Sequence, residues 1–400
     1  MCEHIKILEV TPTFPPAWSY GGITNAVFEL TKELSTRGHD IEVWTSDAFD
    51  LYSRVKNLDT CTVKKVAKVR YFKNLSFTLT RSLNIHVTPG ILMAAKNELQ
   101  NFDVVHFHGA RIFQNAAVYP YVKKHGIPYL LQAHGTLLKI IAKQRLKWGY
   151  DVLFGYNMLK NASKVIALNR FEADQYVGMG VPEEKIAILP NGIDLSEYGN
   201  LPPKGSFKNK FGVADDEKIV LYVGRLHASK GLDLLAHAFK LVLETVNQVR
   251  LVVVGPDDGG YAATFSNLIS ELGIEEKVLL AGFVKKRDKL AAFVDSDVFV
   301  TPRFSGFPIT FLESCLAGCP IVTASNELDW IHNNVGYVTE YSSGALAKAI
   351  ATILIVDQIN IKFQKNTKKT IKKFDISTVT QQLESVYKEA CSCGCYRKEG

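Results

Sequence analysis

The sequence predicts an α/β protein of two domains, each built around its own parallel sheet. Short apolar runs alternate with amphipathic stretches through both halves of the chain, the pattern of strand, crossover helix and strand. At 400 residues the chain exceeds what a single core usually serves, so two domains of ordinary size are expected. With 47% hydrophobic and 22% charged residues, the composition is that of a globular enzyme rather than a disordered chain.

The first half offers strands at Ile5–Val10, Ile41–Thr45, Val104–Phe107, Tyr129–Gln132 and Val165–Leu168. Between the first two, Val27, Phe28, Leu30, Thr31 and Leu34 fall on a helix that stops at Gly38, the residue type that tolerates the left-handed turn ending a helix. The second half repeats the pattern at Ile219–Val223, Leu251–Val254, Val278–Ala281, Val298–Thr301 and Pro320–Thr323. Leu189-Pro190-Asn191-Gly192-Ile193-Asp194, followed by a loose Gly/Pro/Lys stretch over 199–205, places the connection between domains near 185–205. The expected domains are residues 1–190 and 191–375, with a final segment 376–400 that holds a helix over Ile376–Ala390 and a cysteine-containing tail. Ligands of such domains bind at the C-terminal ends of the strands.

Charge is unevenly distributed. Residues 1–190 hold 23 Lys/Arg against 16 Asp/Glu, whereas 191–400 hold 24 of each, so the whole excess of +7 is N-terminal. Within Leu51–Lys147 the count is 16 basic against 3 acidic, which implies an anionic partner. Lys139, Lys143 and Lys147 recur every four residues, with Arg145 beside them and Leu137, Leu138, Ile141 and Trp148 supplying apolar surface. That face suits docking on an anionic membrane, and equally an ordinary solvated helix. Nucleic acid is disfavoured, because no recognisable binding module accompanies the charge.

The chain opens directly into a strand, without a basic leader and apolar signal core, and no apolar run reaches membrane-spanning length. A cytoplasmic protein, peripheral on the inner face of the cell membrane if the basic face docks, is the expectation. Seven cysteines in no pairing framework suit a reducing compartment. Cys391, Cys393 and Cys395 alternate, but three ligands this close lack a distant fourth, and no metal is assigned to them.

Ser305–Pro320, SGFPITFLESCLAGCP, carries the most functional information. A loop through Ser305, Gly306 and Phe307 breaks into a helix that begins near Ile309 and Thr310. The first N–H groups of a helix have no internal partner and point outward with the positive end of its dipole, which suits a phosphate. Glu313, one to two turns on, is placed to accept hydrogen bonds from a ribose. In Val223-Gly224-Arg225-Leu226-His227-Ala228-Ser229-Lys230-Gly231, Arg225 and Lys230 flank a tight strand-to-helix connection and can aim two cations at one diphosphate. Gly21-Gly22 precede a helix and form a weaker candidate of the same kind. His106, His108 and His134 close predicted strands, where cleft residues sit. Asp295-Ser296-Asp297 has the form of a metal-binding triplet, but it joins a helix to a strand, so no metal is assigned. No Gly-X-Gly-X-X-Gly opens either half, which disfavours a nicotinamide dehydrogenase.

Taken in order, the Gly-Gly loop, His134, Asn191–Asp194, Arg225 with Lys230, and Ser305–Pro320 resemble the motifs of the family-4 retaining glycosyltransferases (glycosyl transferases group 1). The resemblance implies the GT-B architecture, two facing Rossmann-like domains with a deep cleft, acceptor binding mainly N-terminal and nucleotide binding mainly C-terminal, with the last helix crossing back onto the first domain. It implies transfer of a sugar from a nucleotide donor to a glycan or lipid-linked acceptor, without cofactor or metal. Glu313 would hold the ribose, Arg225 and Lys230 the diphosphate, Gly22 the phosphate from the other domain, and His134 the sugar. Ser305 stands where the family carries an acid that contacts the transferred sugar. A catalytically weak or inactive nucleotide-sugar-binding protein is therefore the alternative reading. A nucleotide-sugar epimerase of the same architecture would need an acid pair that the sequence does not offer.

Overall fold

The computed structural model describes residues 4–56, 66–83, 85–137 and 144–395. Lys139 and Lys143 of the basic face lie outside the described residues, as do Leu138, Ile141, Cys2 and Cys61 and the side chains of Cys393 and Cys395.

The chain divides into two compact units, one of residues 1–193 and 376–400, the other of residues 194–375. The first holds a seven-stranded parallel sheet: β1 (Lys6–Val10), β2 (Asp40–Ser46), β3 (Lys68–Phe72), β4 (Val104–His108), β5 (Tyr129–Gln132), β6 (Lys164–Ala167) and β7 (Ile186–Ile188). The second holds six parallel strands: β8 (Lys218–Val223), β9 (Val249–Val254), β10 (Val278–Gly282), β11 (Val298–Thr301), β12 (Ile321–Thr323) and β13 (Gly336–Val338). All ten strands read from apolar runs are present. They are mostly interior strands, and a parallel strand covered on both faces reads as a continuous apolar run. The three that sequence reasoning missed, β3, β7 and β13, are sheet edges, half-buried, and either polar (KVRYF) or three residues long.

The spatial orders are β3-β2-β1-β4-β5-β6-β7 and β10-β9-β8-β11-β12-β13. In each, the chain works outward to one edge and then returns to the other side of its first strand. Connections on the two sides diverge, and a crevice opens at the strand C-termini, between β1 and β4 in the first unit and between β8 and β11 in the second. Gly21-Gly22 follow β1, Arg225 and Lys230 follow β8, Ser305–Pro320 follow β11, and His134 follows β5, one strand beyond β4.

The helix Gly22–Thr36 buries Val27, Phe28, Leu30 and Leu34 and ends ahead of Gly38 at φ +92°. On it lies the C-terminal helix, Ile376–Cys395, which runs five residues past Ala390. That helix contributes Leu383, Tyr387 and Ala390 to the same core, where full burial of a residue the size of Leu383 stabilises by about 1.5–3 kcal/mol. Polar pairs fix its register: Glu384 accepts from Arg37 at 3.3 Å and pairs with His39 at 2.9 Å. Where the chain leaves the first unit and where it returns are side by side. The Ile376 N–H donates to the Ile193 carbonyl at 3.0 Å, and a Cβ on Gly192 would lie 2.7 Å from the Ile376 Cα.

The Asp295-Ser296-Asp297 triplet is structural. Asp295 is buried and accepts the N–H groups of Gly205, Phe207 and Lys208 at 2.5, 2.7 and 3.1 Å, so it anchors the start of a short helix. Asp297 accepts the Ile219 N–H at 2.8 Å, tying the approach to β11 onto β8. Among the described residues no single helix is long and apolar enough to cross a membrane.

Candidate active site

In the second unit, the loop after β8 is held in place by the loop after β9. Gly224 N–H donates to the Val254 carbonyl at 2.9 Å, Leu226 N–H to Pro256 at 2.9 Å, and Asp258 N–H to Leu226 at 3.1 Å. Gly255, at φ +149°, lies so close to this loop that a Cβ would sit 1.9 Å from the Gly224 carbonyl oxygen. The glycine-rich stretch 255–260 is therefore the partner wall of the Arg225 loop. It also supplies Asp258, whose carboxylate pairs with Arg225 at 2.6 Å.

The two cations differ in setting. The Arg225 side chain is 63% exposed. Lys230 is half-buried, and its ammonium is pulled below lysine's usual range by desolvation and by the neighbouring Arg225, against opposing pulls from Glu327 and Asp258. A short turn over Ala228–Lys230 and Gly231 at φ +73° lead into the helix Leu232–Leu243. Gly231 packs against Pro302 at the end of the neighbouring β11: a Cβ there would stand 3.1 Å from the Pro302 side chain.

After β11 the chain passes Ser305, which is exposed, and Gly306, buried at φ +74°. Phe307 is buried, its ring 5.3 Å from Phe374 and 6.0 Å from Trp330, which clamps the loop just ahead of the helix Ile309–Ala317. Pro308 caps that helix, and Ile309 and Thr310 form its half-buried first turn. Glu313 is 2% exposed; one oxygen pairs with Lys289 at 2.7 Å, and the other is buried without a partner among the described residues. An enclosed carboxylate oxygen with an unused lone pair is what a ribose hydroxyl would satisfy. The Gly306 N–H donates to the Glu327 carboxylate at 3.0 Å. An acid from the loop after β12 thus stands beside Ser305, and its charge reaches Lys230. Arg225, Lys230, Gly306 and Glu313 lie on two loops and one helix around adjacent strands, whereas Gly21, Gly22 and His134 belong to the other unit.

In the first unit Gly21 takes φ +75° and Gly22 starts the helix, with open space where either residue would carry a Cβ. That helix, through Ala26 and Leu30, lines a small cavity with Gln132, His134, Asn191 and Gly192. His134 follows β5 at φ +54°, a left-handed conformation that costs on the order of 1–3 kcal/mol in a residue other than glycine. Its surroundings hold it there. The buried carboxylate of Glu172 accepts the Gly135 N–H at 2.6 Å and the Leu168 N–H at 2.7 Å, and Arg111, paired with Asp151, donates to the Thr136 and Leu137 carbonyls at 3.0 and 3.1 Å.

Behind His134 lies a polar network closed off from solvent. His108 Nδ1 is 2.9 Å from His134 Nε2, and His108 Nε2 bonds the Glu9 carboxylate. The other Glu9 oxygen accepts from the Tyr387 hydroxyl at 3.1 Å, and that hydroxyl meets His106 Nδ1 at 2.8 Å. Glu9, His106, His108 and Tyr387 are all fully buried. Burial pushes Glu9 up, pushes His108 down to about 3, and holds His106 and His134 well below the usual histidine range. Sequence reasoning singled out all three histidines but missed Glu9 and Tyr387. The available signal was a lone carboxylate inside an apolar parallel strand.

Comparison with known proteins bears on the family and the fold. Residues 20–197 match the family model "Glycosyltransferase Family 4" and residues 204–373 match "Glycosyl transferases group 1". An uncharacterized glycosyltransferase of Methanocaldococcus jannaschii is 26% identical, over 96% of this chain and 98% of its own. The GDP-mannose:cellobiosyl-diphosphopolyprenol alpha-mannosyltransferase of Xanthomonas campestris is 25% identical, over 78% of this chain and 77% of its own. In fold, Anabaena HepE, crystallised with UDP and glucose, superposes with a TM-score of 0.76 at 20% identity, covering 96% of this chain and 99% of that one. Two parallel-sheet units with matched switch points, and family models that between them span most of the chain, make this protein a GT-B glycosyltransferase of the group 1 family.

Proposed function

We propose that this enzyme moves a hexose from a nucleoside-diphosphate sugar to a hydroxyl of a glycan or lipid-linked acceptor, with retention at the anomeric carbon and without a metal ion. The observation that carries the reading is the convergence of Arg225 and Lys230 on the switch point that also presents Gly306 and the half-satisfied Glu313. Departure of a nucleoside diphosphate builds negative charge, and cations fixed beforehand stabilise it without reorganising. Glu313 takes the ribose, Arg225 and Lys230 the diphosphate, and the N–H groups of Ile309 and Thr310 at the helix start the phosphate, with Ser305, Gly306 and Phe307 shaping the loop beside the sugar. Gly21 and Gly22 add backbone donors, and His134 orients the sugar. The leaving phosphate accepts the acceptor's proton, so no carboxylate base is required. HepE was crystallised with UDP and glucose, and the Xanthomonas relative is named for GDP-mannose and a diphosphopolyprenol acceptor, which supports this choice of substrate classes.

A panel of UDP-, GDP- and ADP-sugars, offered with membrane lipid extract, tests the reading. The expected result is nucleotide release and acceptor-dependent sugar incorporation with one donor, retained at the anomeric centre and unaffected by EDTA. Binding without transfer across the panel would favour the inactive reading, for which the neutral, exposed Ser305 is the motive.

The enzyme is further proposed to work in the cytoplasm on the inner face of the membrane. Leu146, Trp148 and Leu153 are 52%, 60% and 68% exposed beside Arg145 and Lys147, an apolar and basic surface of the kind that enters a headgroup layer. Co-sedimentation with vesicles is expected to require anionic lipid and to weaken with salt. Equal binding to neutral vesicles would count against it.

A further inference from the structure

We propose that Glu9, His108 and His134 form a three-link proton relay that sets the hydrogen-bonding polarity of His134 toward a ligand hydroxyl. The hydrogen bonds leave few arrangements. Tyr387 donates to one Glu9 oxygen, so its own oxygen is free to accept from His106 Nδ1. With Glu9 ionised, His108 Nε2–H donates to the carboxylate, His108 Nδ1 accepts from His134 Nε2–H, and His134 Nδ1 is left as an acceptor. That nitrogen is buried and has no partner among the described residues, and His134 lines the cavity with Gln132, Asn191 and Gly192. With Glu9 protonated, every link reverses and Nδ1 carries a proton.

The two arrangements differ by one proton and contain no imidazolium. A hydroxyl on His134 Nδ1 passes its proton to that nitrogen and keeps the bonding electron pair. His134 Nε2–H goes to His108 Nδ1, His108 Nε2–H goes to Glu9, and the charge change lands on the carboxylate. Burial favours this route, because it raises the proton affinity of Glu9 and lowers that of both rings. For the sugar of the proposed reaction, a hydroxyl donating to Nδ1 would feel a carboxylate through two rings, and its proton would move inward as positive character grows on the ring. This chemical role rests on the glycosyl-transfer reading; the coupling of the two rings does not. Glu9 and His108 act here as positioning residues.

The titratable groups facing Glu9 among the described residues are His106 and His108 from β4, His134 beyond them, and Tyr387 from the C-terminal helix, which in turn feels Cys391. Glu9, His106 and His108 also bring three potential ligand atoms within 4.8 Å of one another, so zinc is a necessary control.

The test is nitrogen-15 NMR of the histidine rings in the full, ligand-free chain between pH 5 and 9. We expect His108 and His134 to exchange tautomers together, with one midpoint and without double protonation. Tyr387→Phe removes a hydrogen bond to the carboxylate and is expected to move that midpoint about one unit upward. Glu9→Gln is expected to abolish the exchange. Double protonation of either ring, independent midpoints, tautomers that do not change with pH, or a 1:1 zinc complex that strips the His108 ring proton would each overturn the relay. If a donor is identified, Glu9→Gln should lower kcat about 100-fold with little change in KM and should remove the pH dependence that tracks the tautomer midpoint. Because the tautomer measurement needs no donor, failure of the donor panel and failure of the relay remain separate results.

Discussion

Lys230→Ala is expected to lower kcat/KM for nucleotide-sugar turnover by about 10²–10³-fold, the range found when one preorganised charge-stabilising group is removed. Arg225→Ala is expected to cost less, about tenfold, and mainly in KM. The asymmetry follows from burial. Arg225 stands 63% exposed and bound to Asp258, where solvent screens it and a second partner must be released before it can meet a phosphate. Lys230 is half-buried, and its pKa is lowered because its surroundings disfavour the charge that the fold nevertheless places there. A diphosphate would relieve that penalty, so the interaction strengthens as the leaving group develops charge.

The lowered pKa also gives a sign. The cationic form is lost as pH rises through the folded-state value, so the alkaline limb of activity should lie below lysine's ordinary range and disappear in Lys230→Arg. Because the folded state holds this charge at a cost, Lys230→Ala should not lower the melting temperature. Steady-state kinetics beside a thermal melt separates the outcomes: unchanged turnover would remove Lys230 from the site, and a large fall in Tm would make it structural.

Gly255→Ala is expected to destabilise the second unit by about 3–5 kcal/mol, roughly a 10 °C fall in Tm. A methyl group there would need to occupy space 1.9 Å from the Gly224 carbonyl oxygen, and the backbone at φ +149° is one that residues with a Cβ rarely adopt. Relief requires the loop carrying Arg225 to part from the loop carrying Asp258, so binding of UDP or GDP should weaken even where the protein still folds. Gly344→Ala is the control. Gly344 lies in the helix Ser343–Ile355 with nothing within 4 Å of where a Cβ would stand, and alanine there should raise stability by about 0.5–1 kcal/mol. Calorimetry showing both substitutions neutral would dissociate the Gly255 contact from stability.

Most of the fold was legible because interior parallel strands are buried on both faces and so read as apolar runs. The edge strands β3, β7 and β13 are only partly buried and are either polar or three residues long, so their residues carry a weaker signature. Arg225, Lys230 and His134 were legible for a different reason: each sits beside a glycine where a strand or loop ends, and such punctuation is local; Glu313, the fifth residue of the helix Ile309–Ala317, was legible from the loop-to-helix break ahead of it. Their partners were not. Asp258 lies 33 residues from Arg225, and Tyr387 lies 378 residues from Glu9. Those pairings exist only once the sheet order and the final helix bring distant segments together. Ser305 shows the limit most plainly: the residue reads as a missing acid, whereas the folded loop has a carboxylate beside it, drawn from Glu327 in the loop after β12.

The hydrogen bond from Ile376 to Ile193 has a meaning beyond local order. The chain departs and comes back through a single doorway, its two threads 3.0 Å apart from nitrogen to oxygen and so close at Gly192 that no side chain fits between them. In topological terms residues 194–375 are a guest inserted into a host whose own chain, read across that doorway, is continuous from β7 into its last helix. The Tyr387 hydroxyl that bonds Glu9 therefore belongs to the host in space while following the guest in synthesis. Glu9 gains that partner only after the second unit has been made, so the polar network behind His134 is among the last features of the first unit to be completed.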